Sequence, residues 1–168
     1  MGRPQAGESL SGRRQRNRRE RNGAGDVDFG KLEHWIGFNL RMAQEATFQA
    51  FSHRSKEIGE SPGRFATLTL IARNPGISQT ELSHANGRDK SSLTPVVEDL
   101  VRRGLVERKR MSSDRRAWRL NLTAQGKKTL TMMNRCARRH ERNLDRVIGQ
   151  RDRTRFLALL KKIAREID

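Results

Sequence analysis

The sequence predicts a mainly α fold carrying one two-stranded β hairpin. Three observations predict it. Apolar residues recur every three or four positions over several separate segments, the spacing of a helix face. Residues 105–110 and 117–122 read as two short strands on either side of a polar tip, with Trp118, Leu120 and Leu122 alternating on one face of the second. Stop and start signals then fall between the apolar runs: Ser61-Pro62, Asn74-Pro75-Gly76, Asn86-Gly87, Gly104 and Gly149. A chain of 168 residues is long enough for one core, so a single domain over 28–168 is expected behind an N-terminal arm.

That arm, residues 1–25, holds seven Arg, two Glu and almost no large apolar side chain. It cannot bury enough surface to order itself, and reads as a disordered basic tail, either simply solvated or laid along DNA phosphate. From Asp28, a capping residue, to about Ile58 one long helix is expected. Leu32, Trp35, Ile36, Leu40, Ala43, Thr47, Ala50 and Phe51 share a face, and Phe38, Met42 and Phe48 widen it beyond what one neighbour would cover. Packing against both its own domain and a partner subunit follows.

Ser61-Pro62 combines a capping hydroxyl with proline at the first helical position, opening a compact helix whose Phe65, Leu68, Leu70, Ile71 and Ala72 are buried. Ser78-Gln79-Thr80-Glu81 is a capping box for a short helix through Ala85. Asn86-Gly87 supplies a tight turn, since both residues tolerate left-handed angles. Asp89 then caps a helix with Leu93, Val96, Val97, Leu100 and Val101 facing inward, and Gly104 stops it. Two helices joined by a short Gly-containing turn form a helix-turn-helix. Pro95 interrupts the second helix by leaving the Ser91 carbonyl without its donor, so either a local bend or a later helix start is expected.

The hairpin strands follow, Leu105 to Arg110 and Ala117 to Leu122, with Trp118, Leu120 and Leu122 on one face and Ser112 to Arg116 at the tip. Thr123 caps a long helix with a stripe of Leu130, Met133, Ala137, Leu144, Val147 and Ile148. After Gly149 a terminal amphipathic helix carries Phe156, Leu157, Leu159, Leu160, Ile163 and Ile167.

Charge narrows the function. Lys plus Arg total 36 against 19 Asp plus Glu, a formal charge of +17, which repels itself unless a polyanion is near. Nucleic acid is the first candidate and an anionic membrane surface the second. No apolar run approaches the roughly 18 residues of a spanning helix, so a cytoplasmic, nucleoid-associated protein without a membrane partner is expected. Cys136 stands alone, and no Cys/His cluster has metal-ligand spacing. His34, His53, His84 and His140 read as ordinary surface or boundary residues, and Glu33, Glu45, Glu57 and Glu60 as solvated helix positions. No catalytic grouping or phosphate-cradling loop is present, so neither an enzyme nor a cofactor is expected.

The hairpin region resembles the MarR family of bacterial transcription regulators. That family shows Asp-x-Arg, three residues, Leu-x-Leu-Thr, two residues, Gly; here these are Asp114, Arg116, Leu120, Leu122, Thr123 and Gly126. Gln79, Glu81 and Leu82 before the turn, and Leu100 and Gly104-Leu105-Val106 after it, also fit. The resemblance implies a winged helix-turn-helix lobe at 62–123 with dimerisation helices at 30–58 and 124–168. It also implies a homodimer on a near-palindromic operator, its recognition helices about 34 to 36 Å apart.

Candidate DNA contacts are Arg88, Lys90, Ser91, Ser92 and Thr94 at the start of the recognition helix. Arg88 and Lys90 either read guanine or hold phosphate; Ser91, Ser92 and Thr94 are short donors. At the tip, Arg115 and Arg116 suit a minor groove, with Asp114 bracing a neighbouring Arg. Arg108, Lys109 and Arg110 suit phosphate.

Family resemblance further implies a small effector, often an aromatic acid or related anion, bound where dimerisation helices meet the lobe. Trp35, Phe38, Arg41, Met42, Phe48, Arg64 and Phe65 could line such a pocket, although aromatic and Met residues at helical spacing are more often core. Some relatives sense oxidants through a cysteine near the start of the first helix; none occurs there, and Cys136 lies among Arg135, Arg138 and Arg139 instead. The reading is therefore a sequence-specific double-stranded DNA-binding repressor released by a ligand. The alternative is an architectural or nonspecific nucleic-acid binder, which +17 alone would also predict.

Overall fold

The computed structural model describes residues 27–110 and 118–167. The arm at 1–25 and the tip residues Asp114, Arg115 and Arg116 lie outside the described residues. The chain divides into two units, residues 1–43 and 44–168.

In the first unit the expected single helix is broken. The Asp28 carboxylate accepts from the Gly30 amide at 2.8 Å, and Gly30 takes a positive φ of 52°. A 3-10 turn, Gly30–His34, follows, and Trp35 is extended with ψ 126°. Helix α1 therefore begins at Ile36 and runs to Arg54. The Asn39 side-chain amide holds the junction, donating to the Glu33 and Trp35 carbonyls at 2.9 Å each. Asp28 thus caps a short turn and not the long helix.

The second unit is built on local signals that the chain states clearly. A 3-10 turn at Lys56–Ile58 leads to α2, Pro62–Arg73, whose Ser61 hydroxyl accepts from the Arg64 amide. Leu68 and Ile71 are buried with Thr67, while Phe65 and Leu70 are half-buried and Ala72 is exposed, so α2 buries one face only. Then come α3, Gln79–Ala85; α4, Lys90–Arg102; α5, Ala124–Ile148; and α6, Gln150–Glu166.

Among the described residues the sheet has three strands where two were expected. β2, Val106–Arg110, and β3, Trp118–Leu122, pair antiparallel from Val106↔Leu122 to Arg110↔Trp118. β1, Ile77–Ser78, adds to the other edge of β3 through Ile77↔Leu120. Two residues show no alternation to read, and their partner lies far along the chain. The core between these elements holds Leu68, Ile71, Leu82, Leu93, Val97, Leu100, Leu105, Val106, Leu120 and Met133.

Thr123 opens α5 by accepting from the Gly126 amide and donating to the Gly104 carbonyl at 2.6 Å. Gly149, at φ 85°, separates α5 from α6. In α6 no residue is buried, and Phe156, Leu157 and Leu159 are exposed.

Candidate nucleic-acid interface

The helix-turn-helix is assembled from caps. The Ser78 hydroxyl accepts from the Glu81 amide while the Glu81 carboxylate accepts from the Ser78 amide at 2.8 Å, a complete capping box. These contacts hold the Glu81 carboxyl below its usual range. Only Gly87 takes left-handed angles in the turn (φ 61°); Asn86 stays right-handed, and its side-chain amide donates to the Thr67 hydroxyl at 3.1 Å, tying the turn to α2.

Asp89 caps α4. Its carboxylate accepts from the Ser91 hydroxyl, from the Ser92 hydroxyl at 2.6 Å and from the Ser92 amide at 2.8 Å, which together push its pKa far down. The helix is continuous from Lys90 through Pro95 to Arg102, which removes the later-start alternative. Pro95 is exposed there, and Leu93, Val97 and Leu100 are buried. Gly104 ends the helix with paired bonds, Gly104 N–H to the Val101 carbonyl and Leu105 N–H to the Leu100 carbonyl, both 2.9 Å.

This arrangement leaves the first turn of α4 outward. Lys90, Ser91 and Ser92 are exposed together. The Ser91 and Ser92 hydroxyl protons go to Asp89, and the Thr94 hydroxyl donates to the Lys90 carbonyl while accepting from the Gln79 amide, each at 2.7 Å. The serines therefore offer lone pairs, not protons, to a partner: acceptors for adenine N6 or cytosine N4 amino groups. Arg88 is exposed but lies back against α2, its Nη2 2.9 Å from where a Cβ on Gly63 would stand.

On the hairpin, Arg108 is half-buried opposite Leu120, whereas Lys109 and Arg110 are exposed. The Arg110 guanidinium lies 4.9 Å over the Trp118 ring, a cation–π pair at the last rung before the tip. Trp118 shares a face with Leu120 and Leu122 as expected, yet is 45% exposed.

The MarR family model matches residues 61–118. A transcriptional regulatory protein assigned to the hcr operon of Thauera aromatica is 31% identical over 155 residues, 89% of this chain and 93% of the relative. The chain belongs to the MarR family. It is a transcription regulator. Two solved structures of the transcriptional repressor CouR are similar over 84% of this chain and all of theirs: one bound to a 23-mer DNA duplex (34% identity, TM-score 0.78), one bound to p-coumaroyl-CoA (31%, TM-score 0.78).

The MarR signature is in part structural. A Cβ on Gly126 would stand 2.0 Å from the Leu105 carbonyl oxygen, so the Thr-x-x-Gly step brings α5 against the backbone that ends α4. Leu120 and Leu122 are core.

Of the seven candidate effector residues, Trp35, Phe38, Arg41 and Met42 lie in the first unit and Phe48, Arg64 and Phe65 in the second. Arg41 sits 5.3 Å over the Phe38 ring. Arg64 is engaged: its Nη2 is 2.6 Å from Asp99 Oδ2 and its Nε 3.9 Å from Glu60. Burial raises the Asp99 carboxyl, but Arg64, Arg102 and Arg103 together hold it below its usual range. Glu60 is not a solvated position: its side chain is buried, with Oε1 2.6 Å from Arg103 Nη2, a close charge contact poorly aligned as a hydrogen bond. These ion pairs join the start of α2 to the end of the recognition helix.

His140 also departs from expectation, being 8% exposed with its Nδ1 lacking a hydrogen-bond partner among the described residues. Phe51 meets it edge-on at 5.6 Å and stacks on Phe65 at 5.7 Å. One turn away, the Cys136 thiol donates to the Arg54 carbonyl at 3.6 Å, and Arg54 Nη1 is likewise buried without a partner. No spacing motif marks Arg54 and His140, because the surroundings of each form only where the end of α1 packs on α5.

No helix among the described residues is long and apolar enough to cross a membrane.

Proposed function

We propose that the protein is a homodimeric repressor that reads a near-palindromic operator and releases it on binding an aromatic anion, with an aryl-CoA thioester as the first effector to test. One observation carries the DNA reading: the first turn of α4 stands exposed with Lys90, Ser91 and Ser92 aligned by Asp89, in a chain that is 34% identical to a repressor solved on duplex DNA. Sequence is selected by Lys90, Ser91, Ser92 and Thr94, with Arg88 holding phosphate. Arg115 and Arg116 enter the minor groove with Asp114 as brace, and Arg108 and Arg110 add phosphate contacts. The protein works in the cytoplasm at the nucleoid.

Footprinting at about 150 mM salt tests this against a nonspecific binder, which would give diffuse protection where a repressor protects one near-palindrome. Replacing Arg116 with Ala should weaken operator binding more than tenfold with the dimer intact; unchanged affinity would remove the hairpin from the interface.

The aryl-CoA suggestion is supported by the CouR complex with p-coumaroyl-CoA. Arg54 and His140 are the groups proposed to meet the effector's polar end, because a buried polar atom without a partner is costly and gains from one. Phe51 and Phe65, 5.7 Å apart, supply aromatic walls. With p-coumaroyl-CoA as probe, wild type should leave its operator and His140→Ala should stay bound at the same concentration; equal release would exclude His140.

A further inference from the structure

The proposed reader occupies α3, α4 and the hairpin, but a second cationic surface lies on another element. In α5, Lys128, Arg135, Arg139, Arg142 and Arg146 follow at spacings of seven, four, three and four residues, which brings them to one helix face. All five are exposed. The other positions on that face, Ala124, Gln125, Thr131, Met132 and Asn143, carry no charge. The acids of α5 lie elsewhere: Glu141 and Asp145 face Arg153 of α6, at 4.0 and 2.7 Å. Among the described residues none of the five cations forms an ion pair, and Arg146 only donates to the Asn143 amide oxygen at 3.1 Å.

Such a stripe opposes its own helix. Like charges three or four residues apart repel, and Arg135/Arg139, Arg139/Arg142 and Arg142/Arg146 are three such pairs, with Arg138 adding two more. A polyanion laid along the face removes that repulsion. From Lys128 to Arg146 the stripe runs about 27 Å at the helical rise of about 1.5 Å per residue. A phosphorylated small molecule would meet one or two turns of it. Duplex DNA, with one charge per roughly 1.7 Å of axis, meets the whole length. An acidic protein fits less well, since the face offers only Met132 as apolar anchor and no aromatic residue. A second copy of the same stripe would be repelled.

We infer that this face of α5 is a second DNA-binding surface, gripping duplex outside the operator half-site read by α4; the inference rests on the DNA-binding function proposed above. Its place in the fold separates it from the reader: α4 packs on α3 and β2, whereas α5 packs on α2, β3 and α6. The DNA it holds is therefore flanking or neighbouring duplex brought against the repressor.

The test compares wild type with the full-length quadruple variant Arg135→Gln, Arg139→Gln, Arg142→Gln, Arg146→Gln, in which Gln keeps the helix propensity. Each is titrated against a minimal operator duplex of about 25 base pairs and against the same operator centred in about 100, between about 50 and 200 mM salt. Both proteins should bind the minimal duplex alike. Wild type should bind the long fragment several-fold tighter, with a log–log salt slope steeper by about two to four, and the variant should show neither gain. The variant should keep its helical signal and melt no lower than wild type, since the like-charge repulsion along α5 is removed.

A variant that retains the length-dependent gain, or a wild type that shows none, overturns the stripe while leaving the operator reading intact. Absence of any operator binding by wild type removes both. Poly-L-glutamate competing as well as nonspecific duplex of equal charge would mark an acidic-protein surface and overturn the DNA assignment.

Discussion

The lobe from Ser61 to Thr123 and the terminal helix treat apolar side chains in opposite ways. In the lobe, Leu68, Ile71, Leu82, Leu93, Val97 and Leu100 are fully buried. In α6 nothing is buried, and Phe156, Leu157, Leu159 and the adjoining Ile167 stay exposed; Met42 and Phe48 on α1 are exposed as well. The lobe completes its own core, so its stability is set within one chain. The terminal helices hold apolar surface in reserve, the pattern of an assembly face.

The sharpest way to break that contrast is a pair of matched truncations. Leu68→Ala should cost about 2 to 5 kcal/mol in urea unfolding, at any protein concentration, because a filled core site is emptied. Leu159→Ala should change the stability of the lobe by less than about 0.5 kcal/mol yet weaken the dimer in sedimentation. Concentration-independent losses of similar size from both would erase the distinction between the two regions.

A second comparison sets helix propensity against close approach. Gly126→Ala favours α5 by about 1 kcal/mol as an isolated helix. Its new Cβ would stand 2.0 Å from the Leu105 carbonyl oxygen, which is backbone and cannot swing aside. Overpacking of this kind costs about 1 to 3 kcal/mol, so a net loss is expected, read by thermal melting. A stabilised variant would show that the step from β3 into α5 is not the fixed joint described above.

These examples show what was legible in the sequence. The caps at Ser61, Ser78, Asp89 and Thr123 were readable because each bond joins residues three apart, and the apolar stripes placed the core helices for the same reason. Contacts between distant segments were not. β1 exists only because Ile77 finds Leu120, and Glu60 and His140 are buried only because α4 and α1 close over them. Trp35 sits on the apolar stripe yet breaks the helix, which periodicity does not register. At the site, the sequence identified Arg88 as a helix-start cation but not that Gly63 gives its guanidinium room to lie back on α2.

The smallest effect concerns the cap that aligns the reader. The Asp89 carboxyl is held well below its ordinary value, chiefly by the Ser91 and Ser92 hydroxyls. A group whose pKa is depressed by folding stabilises the fold at pH values above its unfolded pKa, about 3.9 for Asp, and loses that contribution as pH falls through the folded value. The melting-temperature difference between wild type and Asp89→Ala should therefore be full at pH 7 and shrink only below about pH 4. A difference that grew on acidification would reverse the assignment of the cap. The same variant frees the Ser91 and Ser92 hydroxyl protons, which wild type directs inward. Operator binding should lose sequence discrimination at the bases facing these serines more than it loses nonspecific affinity, since phosphate contacts are untouched. Equal losses on operator and random duplex would mean that Asp89 only holds the helix and does not orient what it presents.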